Sequence, residues 1–163
     1  MSSWQVAQDP SSAVVVLPPV VTLLVLAVVI PEIAFFLGSK GLIGGPQAVG
    51  WRQAMIQDYG FSGDLLRWMI ENGIYPPEHL LRFVTYPFLH GSFSGMLFAA
   101  ALLLAMGKFV GEVFRPLATL AAFFIPAICG ALAYGLIARD NPWLYGAFPG
   151  IYGLIGAFTY LLW

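Results

Sequence analysis

Residues 83–107 read FVTYPFLHGSFSGMLFAAALLLAMG, 25 positions between Arg82 and Lys108 in which His90 is the sole side chain that ionises near neutral pH. A helix needs about 20 apolar residues to cross a hydrocarbon core ~30 Å thick, so this stretch decides the fold class. The same bracketing by charge recurs along the chain. Asp9 and Glu32 enclose 22 uncharged residues, Arg115 and Arg139 enclose 23, and 23 more follow Asp140 to Trp163. Four spans are expected, at about 12–37, 91–108, 116–138 and 146–163, with an interfacial loop over about 38–90. The runs are continuously apolar and lack the alternation of a membrane strand, which excludes a β-barrel.

Composition agrees. Of 163 residues, 60% are hydrophobic and 9% charged, against roughly 45–50% and about 25% in a soluble domain. Fifteen charges cannot solvate a particle of this size, and the apolar content excludes a disordered chain. A formal net charge of −1 leaves no basic patch, so nucleic acid is not expected as a partner. Two histidines and one cysteine, Cys129, without ligand spacing argue against a metal, and no cofactor is expected. The partners implied are the lipid bilayer and other transmembrane helices.

No Lys or Arg precedes Ala13, so the opening is not read as a cleaved signal and the first span stays. That span is expected to break near Pro18-Pro19 and to end around Pro31-Glu32, leaving Glu32 as an interfacial carboxylate in headgroup water. The last apolar stretch, Phe148 to Trp163, has 16 residues, or ~24 Å of helix, and reads as cut short. Within the loop, Asp64 to Glu71 is apolar at 65, 66, 69 and 70, an amphipathic helix closed by Gly73. A second begins at Pro76-Pro77-Glu78 and carries Leu80, Leu81 and Val84, with His79 expected in solvent. Lys/Arg counting favours a cytoplasmic loop, but four acids balance its four bases and weaken that vote.

Two segments carry a more specific pattern. One is Arg82-Phe83-Val84-Thr85-Tyr86-Pro87-Phe88-Leu89-His90-Gly91-Ser92, leading through the second span to Gly107 and Glu112; the other is Gly146-Ala147-Phe148-Pro149-Gly150-Ile151-Tyr152-Gly153-Leu154-Ile155-Gly156-Ala157. Together they resemble the rhomboid family of intramembrane serine proteases, from about residue 78 to 163. The resemblance implies an all-α membrane bundle of which this chain holds four helices out of a six-helix core. It also implies a multi-pass protein of a bacterial cytoplasmic membrane. His90, Gly91, Gly146, Gly150, Gly153 and Gly156 fall on the family's structural motif, the glycines giving smooth faces for close helix contact.

The chemistry departs from the pattern. Active members carry a histidine, a second histidine five residues on and an asparagine four beyond; here these fall on His90, Gly95 and Ala99. The serine nucleophile falls on Phe148, the glycine after it on Pro149, and the activating histidine belongs to a sixth helix. A serine needs an adjacent base, and each oxyanion donor contributes roughly 10²–10³ in rate. Phe148 has no nucleophilic atom, Pro149 has no N–H, and Gly95 and Ala99 have no side-chain donors. No catalytic residue is therefore expected. The leading expectation is a pseudoprotease that binds transmembrane helices of partners as an accessory or assembly subunit. The alternatives are an active protease with a displaced nucleophile, Ser92 or Ser94 beside His90, and a purely structural membrane subunit. Gly at 95 is also expected to tighten the contact of the second span through Gly91-x-x-x-Gly95.

Overall fold

The computed structural model describes residues 17–138 and 143–163. Asp9, Arg139, Asp140 and the expected start of the first span at 12–16 lie outside the described residues. Helix α1 is Pro19–Ser39. A 3-10 turn, Gly45–Gly50, leads into α2, Trp51–Tyr59. Then come strand β1, Phe61–Ser62, and the two amphipathic helices α3, Gly63–Asn72, and α4, Pro77–Thr85. A 3-10 turn over Tyr86–Phe88 precedes α5, Phe93–Val113. Helix α6, Pro116–Ile137, strand β2, Trp143–Leu144, and α7, Phe148–Leu161, complete the order. The two short strands pair antiparallel, Phe61 with Leu144 and Ser62 with Trp143, a local bridge beside an otherwise helical bundle.

Three helices, α1, α5 and α6, are long and apolar enough to cross a membrane, while α7 is a shorter apolar helix of 14 residues, ~21 Å long. Their ends follow local chemistry. Pro19, Pro77, Pro116 and Pro149 each sit in a first turn, where a missing N–H costs no helical bond. The Ser62 hydroxyl caps α3 and that of Ser92 caps α5. Gly73 closes α3 at φ +66°, a left-handed position that favours glycine.

Helix α1 does not end at Pro31-Glu32. It continues eight residues beyond Pro31 to Ser39, although a proline inside a helix removes one backbone hydrogen bond. Tertiary contacts hold the extension. Glu32 is 1% exposed and paired with Arg52 of α2, so it is a buried carboxylate rather than one in headgroup water. Phe35 packs with Ile56 and Leu89. A Cβ on Gly38 would lie 3.0 Å from that of Ala48 and 3.2 Å from the Trp51 ring. The loop thus folds back as a brace along the second half of α1.

The main core lies where α5 meets α1, α6 and α7. Leu24 and Val28 of α1, Met96, Ala99, Leu103 and Val110 of α5, Phe123 of α6, and Ile151 and Leu154 of α7 share one buried cluster. Helices approach closely where glycine removes the side chain, as small-residue contacts in membranes do. Gly107 sits under Val21, Gly150 under the Phe123 ring, and Gly153 against the Ala122 carbonyl and Pro126. A second cluster joins Phe61, Leu66, Met69, Phe83 and Tyr86 of the interfacial region to Ala127 and Ala131 of α6. Arg67 ties the same parts together, donating from Nη1 to the carbonyls of Gly135 at 2.8 Å and Ala138 at 3.1 Å. The result is a helical bundle with a cap of amphipathic helices fastened to one end of α6.

Candidate functional site

At the start of α5 the chain passes from the 3-10 turn through Leu89 to His90, then into the Ser92 cap. The Ser92 backbone is extended, and its hydroxyl accepts from the Gly95 N–H at 3.1 Å. Ser94 Oγ lies 3.3 Å from Ser92 Oγ. At the start of α7, Gly146 takes φ +107°, a conformation only glycine adopts without strain, and its N–H donates to the Tyr86 carbonyl at 3.0 Å. Tyr86 is fully buried and donates its hydroxyl to the Ala127 carbonyl at 2.8 Å; burial pushes this phenol upward. Tyr86 therefore joins three parts of the chain: the approach to α5, the approach to α7, and the middle of α6.

These two approaches meet in an open cavity of about 390 Å³ lined by His90, Gly91, Ser92, Gly95, Tyr145, Gly146 and Phe148. The positions that the sequence singles out in separate spans, 90, 95 and 148, thus share one cleft. The Phe148 ring stands 6.1 Å from that of Phe98 and 6.5 Å from that of Tyr152, and it packs on the main core that contains Ala99. Ala99 itself is fully buried. Pro149 occupies the first turn of α7, in close contact with Gly130, whose added Cβ would lie 3.1 Å from its ring.

His90 is 3% exposed, and neither ring nitrogen has a hydrogen-bond partner among the described residues. It lies in the loop before α5, outside the spanning helices. Burial pushes its pKa down to about 4, with the Phe88 backbone opposing part of the shift. The imidazole is neutral in the fold, whereas an unfolded chain takes up its proton near the ordinary histidine value. The unfolded state therefore binds more protons between about pH 6.5 and the folded value of about 4. Stability falls as pH drops through that window, by up to about 3 kcal/mol. Thermal unfolding in detergent at pH 4.5 and 7.5 is expected to show this loss in the wild type and a much flatter profile in His90→Asn.

The motif residues before His90 work as fasteners. Arg82 donates from Nη1 to the Gln57 carbonyl at 2.7 Å and the Gly60 carbonyl at 3.0 Å, and its guanidinium lies over the Trp143 ring at 5.9 Å. Thr85 donates to the Tyr59 carbonyl at 2.8 Å. Both bind the end of α2 to α4, so the motif anchors the interfacial cap beside the cleft.

Several expectations change at this level. Gly91 precedes α5 rather than lying on its face, and an added Cβ there would meet the Tyr145 ring at 3.0 Å. At Gly95 an added Cβ would meet only Ser92 Oγ, at 3.1 Å; no helix is drawn closer by it. Gly146 belongs to a turn, and at Gly156 an added Cβ would have nothing within 4 Å. Of the motif glycines, Gly150 and Gly153 are the ones in close helix contact. His79 is half-buried with its ring edge-on to Trp68, and its Nδ1 lacks a partner among the described residues, so it is not a solvent histidine. The Glu32–Arg52 pair was not legible, because Trp51-Arg52 lies 20 residues from Glu32 in an unremarkable stretch. Among the described residues, no group of three or more His, Cys, Asp and Glu side chains comes together.

The rhomboid domain matches residues 77–163. No curated protein and no solved structure matches the chain. That match covers more than half of the sequence, runs from α4 through α7, and includes both walls of the cleft and the fasteners Arg82 and Thr85: the chain belongs to the rhomboid family, as an all-α integral membrane protein.

Proposed function

We propose that this protein is a rhomboid pseudoprotease: a multi-pass protein of a bacterial cytoplasmic membrane that binds transmembrane helices of partner proteins without cutting them, as an accessory or assembly subunit. One observation carries this reading. In the cleft formed by the two family motifs, the position that would supply the nucleophile holds the Phe148 ring. The oxyanion side is equally bare, with Gly95 facing the cavity and Ala99 buried in the core.

The displaced-nucleophile alternative has less support. Ser92 Oγ is committed to the α5 cap. Helix α5 begins at Phe93, so His90 and Ser94 do not share a helical face. The His90 nitrogens are buried and bonded to neither hydroxyl among the described residues, so no base is positioned on Ser92 or Ser94.

Two measurements on the full-length protein in mild detergent test the proposal. A fluorophosphonate probe is expected to leave it unlabelled; covalent labelling at Ser92 or Ser94 would overturn the pseudoprotease reading. Photo-crosslinkers placed at Phe98 and Tyr152, which flank Phe148, are expected to capture transmembrane segments of other proteins. Capture of lipid alone would instead favour a structural subunit.

A further inference from the structure

The ends of α1, α5 and α6 that lie away from the cleft converge at one membrane face. Pro18 and Val21, at the start of α1, lie against Gly111 near the end of α5, where an added Cβ would meet each at 3.0 Å; Arg115-Pro116 then opens α6. Between the first turns of α1 and α6 runs a crevice of about 400 Å³ lined by Pro19, Val20, Leu23, Leu24, Pro116 and Leu120. Its lining is apolar throughout. It starts at the helix ends and reaches five residues along α1 to Leu24, ~7.5 Å into the bilayer.

The mouth of this crevice carries a cation. Arg115 is exposed, immediately precedes the lining residue Pro116, and has no side-chain hydrogen bond or ion pair among the described residues. The other cation at this face, Lys108, is paired with Glu112 at 3.6 Å. Among the described residues, the site therefore combines one unpaired positive charge with an apolar slot that starts beside it.

We propose that this crevice binds an anionic phospholipid, its phosphate on Arg115 and part of one acyl chain along Val20, Leu23, Leu24 and Leu120. Charge complementarity selects the headgroup, as basic pockets between transmembrane helices do. The shape argues against a partner helix as occupant. Helix contacts in lipid rely on small residues that let backbones approach, whereas here Leu23, 67% exposed, and Leu117, 80% exposed, stand out beside a slot little more than one turn long. A flexible chain fits between such side chains and a helix does not. This site is separate from the cleft and stands whether or not the cleft is catalytic.

Native mass spectrometry of the full chain, delipidated in detergent and titrated with phosphatidylglycerol or phosphatidylcholine, tests the proposal. Phosphatidylglycerol is expected to be retained preferentially. Arg115→Gln should lower its retention about fivefold, the worth of one cation at an anionic surface, and Leu23→Trp should lower it by blocking the slot from its exposed side. Lys108→Gln is expected to leave retention unchanged. Equal retention of the two lipids, an unaltered Leu23→Trp, or a Lys108→Gln loss as large as that of Arg115→Gln would each overturn the site, the last by showing a response to bulk charge alone.

Discussion

Arg52→Ala is expected to lower stability by about 2–3 kcal/mol, less than the roughly 3–5 kcal/mol of a fully buried ion pair because Arg52 is partly exposed. Glu32 is 1% exposed, on a helix that continues through Pro31 to Ser39. Its second carboxylate oxygen and Arg52 Nε already lack partners among the described residues. Without Arg52 the buried carboxylate loses its countercharge, and it must either stay ionised at a desolvation cost or take up a proton. The brace of α2 on α1 should loosen with it, because Phe35, Ile56 and Leu89 form only a small cluster. The paired change Glu32→Leu with Arg52→Leu separates charge from packing. Replacing both members of a buried pair by apolar residues is often neutral or stabilising, so the double variant should be more stable than Arg52→Leu alone. Thermal unfolding in detergent measures both, and a single variant within 1 kcal/mol of wild type would show that the pair is solvated.

Phe148→Ser places a hydroxyl at the position that the proposed function assigns to the family's nucleophile, and it is expected to gain no protease activity. A serine without its base loses about 10⁶ in turnover. In this cleft His90 has its nitrogens buried and a pKa near 4, Gly95 and Ala99 offer no side-chain donors, and Pro149 removes the N–H that follows the nucleophile. The variant should remain unlabelled by a fluorophosphonate probe at concentrations that saturate an active rhomboid. It should also lose roughly 1–2 kcal/mol of stability, less than the 3–5 kcal/mol of a fully buried phenylalanine, because the ring is half-buried against Phe98 and Tyr152. Labelling of Phe148→Ser, with none in the wild type, would mean that a base is within reach of this position and that only the nucleophile has been lost.

The two predictions bear on different residues for a reason. The family was legible because its motifs are short and local: Gly146 to Gly156 is a single stretch, and Arg82 to Ser92 another. Glu32 and Arg52 are far apart in sequence and carry no motif, so their meeting depends on how the loop folds back. The amphipathic helices α3 and α4 were readable from apolar spacing and from Gly73 and Pro77, features that act within a turn of chain. The roles of the glycines were not. Gly150 and Gly156 look alike in sequence, yet an added Cβ would strike the Phe123 ring at one and open space at the other. Spacing shows which residues share a helix face, and only the neighbouring element decides whether that face is covered.

By itself, the sequence determined that this is a helical membrane protein, where its apolar runs lie, and which side chains stand in its two motifs. These follow from hydropathy and residue identity, which need no partner in space. The tertiary structure decided that α1 continues through Pro31, that Glu32 is buried against Arg52, that the His90 ring is buried, and that residues 90, 95 and 148 face one cavity. Each of these depends on the desolvation and packing supplied by a distant segment, and such energies arise only when the chain has folded.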